Sequence, residues 1–361
     1  MNVDPPLALL AELTHRCPLR CAYCSNPLEL DRASAELSTA DWVRVMQEAA
    51  ALGCLQVHLS GGEPAVRKDL VEIVQAASAA GLYGNLITSG LLLDKARLVA
   101  LKEAGLSHIQ LSIQDVEAGA SDHMAGLKGS FEKKHAFAKE VLEIGFAFTV
   151  NTVLTRHNVD RLPQIIQQAV DMGAGRLELA HTQYYGWGLK NRAALMPTRA
   201  QVDKAARITD QAITDLKGKL VIDHVVPDYY AARPKACMGG WARRFFNVTP
   251  SGKVLPCHAA ETIEHLSFPS VLERSLKEIW HDSPAFNAYR GTDWMPEPCQ
   301  SCERRDVDFG GCRCQALALA GDAAAVDPAC ALSPDHDVMA SFTSQIDDSS
   351  DNDLTYRSFT V

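Results

Sequence analysis

Leu7-Ala8-Leu9-Leu10-Ala11-Glu12-Leu13-Thr14-His15-Arg16-Cys17-Pro18-Leu19-Arg20-Cys21-Ala22-Tyr23-Cys24 decides the reading of this chain. Residues 7–13 form an apolar run of strand length, and a loop follows at once with cysteines spaced C-x3-C-x2-C. Three thiolates this close can each bind one iron of a [4Fe-4S] cube, which leaves the fourth iron open to a small ligand. A three-ligand zinc site is the alternative for the same spacing.

Working outward from that strand, short β-rich runs alternate with longer helical patterns as far as about residue 223. Strands are expected at 7–13, 55–59, 84–88, 107–113, 146–153, 176–180 and 220–223. Helices are expected at 39–52, 67–80, 94–104, 131–144, 159–172 and 198–216. Gly53, Gly81, Gly105 and Gly173 stand where four of these helices should stop. Repeated βα units imply an α/β class and a closed or partial (β/α) barrel, with functional loops at the C-terminal ends of its strands.

After about residue 231 the pattern changes, and Cys, Pro and Gly become dense. Three segments are expected: residues 1–230 as the barrel, 231–343 as a small Cys-rich domain, and 344–361 as a disordered tail, since it is rich in Asp and Ser. A hairpin is expected at 245–256, turning at Pro250-Ser251-Gly252. The formal charge of −9, without a Lys/Arg block, argues against nucleic acid. No apolar run is long enough to span a bilayer and no basic leader is seen, which points to the cytoplasm. Eleven cysteines there suit metal better than disulfides.

A second motif, Ser60-Gly61-Gly62-Glu63-Pro64, follows the second expected strand. Two glycines allow close backbone approach to a ligand, and Glu63 and Pro64 fix the turn. With the C-x3-C-x2-C loop after strand one, and Tyr23 just before the third cysteine, the chain resembles the radical S-adenosylmethionine (SAM) superfamily. The resemblance implies a partial (β/α)6 TIM-like barrel. It further implies a [4Fe-4S] cluster with an open iron on Cys17, Cys21 and Cys24, and SAM bound near Tyr23, Gly61, Gly62, Glu63 and Pro64. Ser112 and Asn151 are further candidates for polar contacts with SAM.

Of the remaining cysteines, Cys54 stands alone in apolar surroundings and reads as a packing residue. The other seven resemble the SPASM extension of peptide-modifying radical SAM enzymes, whose pattern begins C-x(9–15)-G-x4-C and continues C-x2-C-x5-C-x3-C. Cys237, Gly252 and Cys257 match the first part; Cys299, Cys302 and Cys312 match most of the second. Asp308 stands where the pattern expects its third cysteine of the second part. The resemblance implies two auxiliary Fe-S clusters, [4Fe-4S] or [2Fe-2S], one on Cys237, Cys257, Cys312 and Cys314 and the other on Cys299, Cys302, Asp308 and Cys330. Zinc is the alternative here as well.

Within that group, the acidic ligand position, the segment Tyr184-Tyr185-Gly186-Trp187 and the segment from Asn191 to Thr198 resemble the peptide cyclases of pyrroloquinoline quinone biosynthesis. The resemblance implies SAM cleavage to a 5′-deoxyadenosyl radical and a carbon–carbon link between a Glu and a Tyr side chain of a precursor peptide. It implies Tyr184, Tyr185 and Trp187 as substrate contacts, a small peptide chaperone and a flavodoxin-type reductant as partners, and no side-chain acid or base. At His123 relatives often carry Arg. Another SPASM peptide maturase, forming a thioether or removing a carboxylate, is the alternative.

Overall fold

The computed structural model describes residues 3–344 and 354–358. Seven parallel strands follow one another across a single sheet in chain order: β1 (Ala8–Glu12), β2 (Gln56–Ser60), β3 (Tyr83–Thr88), β4 (His108–Ser112), β5 (Ala147–Leu154), β6 (Arg176–His181) and β7 (Val221–Val225). Each expected strand is present within a few residues of its reading. Strands β1 and β7 do not pair, so the barrel is partial.

The helices between the strands are dictated locally. Helix α1 (Thr39–Leu52) starts at Ser38, whose side chain and that of Asp41 cap each other's backbone N–H groups. It buries Trp42, Val45, Met46 and Ala49, a stripe at i, i+3, i+4 and i+7. It ends at Gly53 in the left-handed region (φ 106°), where a Cβ would stand 2.8 Å from Pro5. Helices α2 (Leu70–Ala79), α3 (Lys95–Glu103), α4 (Ala118–Ala125), α5 (Ser130–Ile144) and α6 (Leu162–Asp171) cover the outer face. Two short helices, α7 (Gly186–Lys190) and α8 (Arg192–Leu195), precede α9 (Arg199–Asp215), which Thr198 and Gln201 cap.

Alternate strand residues divide between the two faces. Leu9, Val57, Leu86, Ile109, Leu111, Val150 and Leu177 belong to the core cluster that the helices cover. The other face carries a polar ladder: the Asn85 amide lies 3.1 Å from His58 and donates to Gln110 at 3.2 Å, and Gln110 donates to Glu178 at 2.8 Å. Burial raises the Glu178 carboxyl above its ordinary range.

The expected hairpin is β8 (Phe245–Val248) and β9 (Val254–Leu255), antiparallel. Its placement was not expected, because β8 pairs parallel with β1 and continues the barrel sheet into the Cys-rich region. The disordered-tail reading of 344–361 is corrected for residues 354–358: Leu354 and Arg357 are buried against the barrel mouth. The rest of that expectation, at 345–353 and 359–361, lies outside the described residues. Among the described residues no helix is long and apolar enough to cross a membrane.

Candidate cluster and cofactor site

The cysteine loop leaves β1 at the C-terminal edge of the sheet and is held by its neighbours. Arg20 and Ala22 donate their backbone N–H groups to Ala125 and Met124 of α4, at 2.9 and 3.2 Å. The two glycines of the second motif serve this loop directly: Gly62 and Glu63 donate to the Thr14 and Arg16 carbonyls, at 2.5 and 2.8 Å. A Cβ on Gly61 would stand 2.3 Å from the Thr14 carbonyl oxygen, and one on Gly62 2.4 Å from that of Arg16. Their small size therefore lets two chain segments touch.

Glu63 works from behind the turn. It is fully buried, and its carboxylate accepts from the Ala65 N–H, the Thr88 hydroxyl, and the N–H and hydroxyl of Ser89. Four protein donors occupy its oxygens, so its side chain fixes the turn and the motif's backbone is what remains to meet a cofactor. Pro64 is buried beside it. Tyr23 accepts a hydrogen bond from the Gln114 amide at 3.0 Å, and burial raises its phenol above the usual value. Ser112 and Asn151 are register partners on β4 and β5 and so share a face.

Burial, with Cys21 and Glu63 nearby, pushes the Cys17 thiol up to about 12. Burial likewise pushes Cys21 up to about 11 and raises Cys24. Such thiols ionise only against a strong local cation, so the loop suits iron and not free thiolate chemistry. Lys134, absent from the sequence reading, is fully buried and donates to Gln114. Burial lowers its pKa to about 8, against the pull of Cys21, Cys17 and Glu63.

The other cysteines fall into two groups. Cys257 and Cys314 have their sulfurs 3.9 Å apart. The Cys237 thiol meets Cys257 and Cys312, and that of Cys312 also meets Cys314. Donation from Cys237 and Cys314 holds Cys312 well below its ordinary value. Cys299, Cys302, Asp308 and Cys330 line one small, solvent-open recess. Asp308 is 8% exposed, so its carboxylate is not a solvated surface acid. Among the described residues no ready-made group of three or more His, Cys, Asp or Glu side chains is arranged around a single ion. Cys54 is buried in the core, as expected of a packing residue.

The aromatic segment reaches the loop through Gly186, where a Cβ would stand 3.1 Å from the Asn26 carbonyl oxygen. The Tyr184 ring packs on Tyr229 and Phe342, and the Tyr185 ring on His258, 5.3 Å away and next to Cys257 in sequence. Trp187 is buried at the start of α7 with Lys190 over its ring, and its indole N–H has no hydrogen-bond partner among the described residues.

Comparisons with known proteins agree with this geometry. The Radical SAM superfamily model matches residues 11–169, and an iron-sulfur cluster-binding domain, SPASM, matches 237–303. A solved structure of Streptococcus suis SuiB bound to S-adenosylmethionine shares the fold at TM-score 0.74 and 19% identity, over 88% of this chain and 75% of that one. Native anSMEcpe with bound AdoMet matches at TM-score 0.64 and 15% identity, over 93% and 96%. A barrel of this form with this extension defines a radical SAM enzyme whose cofactors are an open [4Fe-4S] cluster, SAM and auxiliary iron–sulfur clusters. A protein of Methylobacterium sp. (strain 4-46) named PqqA peptide cyclase is 64% identical over 93% of this chain and 88% of its own length. One of the same name from Bradyrhizobium diazoefficiens is 58% identical over 98% and 93%. The chain belongs to the PqqA peptide cyclase family.

Proposed function

We propose that this chain joins a Glu and a Tyr side chain of the PqqA precursor peptide by a carbon–carbon bond, in pyrroloquinoline quinone biosynthesis. The observation that carries the reading is the close approach of Gly186 to the loop behind Cys24, with the Tyr185 ring on His258 beside Cys257 and the Tyr184 ring on Tyr229 and Phe342. A peptide entering the mouth there meets the reactive face of the loop and an aromatic wall together.

Cys17, Cys21 and Cys24 hold the open cluster in this reading; Cys237, Cys257, Cys312 and Cys314 hold one auxiliary cluster, and Cys299, Cys302, Asp308 and Cys330 the other. When bound, cluster and SAM supply a 5′-deoxyadenosyl radical. The chain's residues do the positioning. Gly61 and Gly62 seat the loop, Ser112 and Asn151 offer polar groups on the inner face, and the buried polar ladder fixes the floor. Tyr184 and Tyr185 hold the two reacting side chains in contact and exclude water. The link removes two hydrogens, one from each partner carbon. The first would leave as an atom to the radical, and the second as a proton and an electron, the electron going to an auxiliary cluster when one is bound. No acid or base of this chain is required for the abstraction.

A PqqD-type peptide chaperone and a flavodoxin-type reductant complete the system, in a cytoplasm that keeps eleven cysteines reduced. The test is anaerobic incubation with SAM, dithionite and PqqA peptide. Formation of 5′-deoxyadenosine with peptide two hydrogens lighter is expected. Loss of CO2, a Cys-derived link or unaltered peptide defeats the proposal.

A further inference from the structure

Residues 354–358 return to the barrel mouth and close on the cysteine loop. Thr355 donates its N–H to the Asn191 side-chain oxygen at 2.7 Å, and its carbonyl accepts from the Asn191 amide at 2.9 Å. The same amide donates to the Ala22 carbonyl at 2.8 Å, so one buried side chain ties the C-terminal segment to the loop between Cys21 and Cys24. Leu354 is buried with Ala22, Met124 and Leu195. The Tyr356 hydroxyl donates to the His123 carbonyl at 2.8 Å.

Arg357 is 8% exposed. Its Nη2 donates to the Leu19 carbonyl at 2.9 Å and to that of Cys17 at 3.4 Å, gripping the backbone of the loop. Its Nη1 is fully buried and has no hydrogen-bond partner among the described residues. A guanidinium keeps its charge and all five N–H groups, so a buried orphan costs free energy until an acceptor arrives.

We infer that Arg357 is a positioning residue for the cluster: one edge holds the carbonyls of Cys17 and Leu19, and Nη1 donates to a thiolate or sulfide sulfur of the cluster seated on that loop. The carboxylate of SAM offers the same acceptor chemistry. Sulfur is favoured because Nη2 already grips the backbone of the ligand loop itself, at the Cys17 and Leu19 carbonyls. The inference rests on Cys17, Cys21 and Cys24 being the cluster ligands. A cation and an N–H donor beside the cluster favour its reduced, more negative state, so Arg357 raises its reduction potential.

The experiment is an EPR-monitored redox titration of the full, cluster-replete chain without SAM, comparing the parent with Arg357→Gln and Arg357→Lys. For Arg357→Gln the reduced fraction of this cluster should fall about tenfold at a fixed potential, about 59 mV for one electron. The auxiliary signals should stay unchanged, and they report that the fold is intact. An unshifted potential with the cluster retained overturns the inference; a loss of SAM affinity alone does so too, assigning Nη1 to the SAM carboxylate. If Arg357→Gln loses the cluster, Arg357→Lys, which keeps the charge and an N–H donor, decides: a cluster retained at a parent-like potential supports the inference, and a cluster that is lost or clearly shifted in potential overturns it. Iron at this site that survives replacement of Cys17, Cys21 and Cys24 by Ala defeats the ligand assignment instead, which is a separate result.

Discussion

Asp327 accepts the backbone N–H of Cys312 at 2.7 Å, while its other oxygen accepts from Ala329 N–H at 2.9 Å and the Gln315 amide at 2.8 Å. One fully buried carboxylate thus joins the backbone of the Cys312 group to the loop that carries Cys330. Burial, with Cys312 close by, raises its carboxyl above the usual range. In Asp327→Asn an amide replaces one acceptor, and at least one buried donor loses its partner, at about 1–3 kcal/mol. Iron at both auxiliary sites should fall together while the Cys17–Cys24 site stays loaded. Parent-like iron content and melting temperature in the variant would count against this coupling.

Gly62 is one of two tight approaches between the motifs that hold the front of the site, and unlike Gly61 it has no positive φ to confound a substitution. In Gly62→Ala the new methyl would lie 2.4 Å from the Arg16 carbonyl oxygen, backbone that cannot rotate away. The two loops must separate, and the bonds from Gly62 and Glu63 to Thr14 and Arg16 lengthen with them. We expect a stability loss above about 1 kcal/mol and poor occupancy of the Cys17–Cys24 cluster. Iron analysis with the EPR signal of that cluster checks it; full occupancy refutes it.

Asp308 offers a ligand test by exchange. It is buried in the recess that Cys299, Cys302 and Cys330 line, and burial together with Cys330 and Asp308 itself pushes Cys299 up to about 11. Asp308→Cys restores the pattern's thiolate and should keep the auxiliary cluster, with altered EPR parameters. Asp308→Ala should lower iron at that site. Unchanged iron and spectra in Asp308→Ala reject Asp308 as a ligand.

The strands and the two front motifs were legible because their signals are local: apolar runs of strand length, glycines at helix ends, and cysteines a few residues apart. The pairing of β8 with β1 was not, since it joins Ala8 to Phe245 across most of the chain and leaves no local trace. Lys134 left a trace that was missed. It lies on the buried stripe of α5 with Ser130, Phe137, Ala138 and Val141, so helical spacing already placed it inward. Arg357 left none, because its polar surroundings suggest a tail and only the Asn191 and Leu19 contacts make it part of the site.

His181 supplies a pH signature remote from the cysteines. Both of its ring nitrogens are buried without a hydrogen-bond partner among the described residues, and its ring lies 5.6 Å from that of His224. Burial, with smaller contributions from His224 and Lys235, pushes its pKa down to about 3. An unfolded histidine titrates near about 6.5. As pH falls below that value the unfolded chain gains a proton that the folded chain refuses, so stability declines with acidification until about pH 3. The slope approaches about 1.4 kcal/mol per pH unit. His181→Phe removes this proton, so its stability advantage over the parent should grow by about 1.4 kcal/mol between pH 7.5 and pH 5.5. Anaerobic denaturant unfolding at the two pH values measures the difference. Parallel losses in parent and variant would assign the acid sensitivity to other groups and show that His181 accepts its proton within the fold.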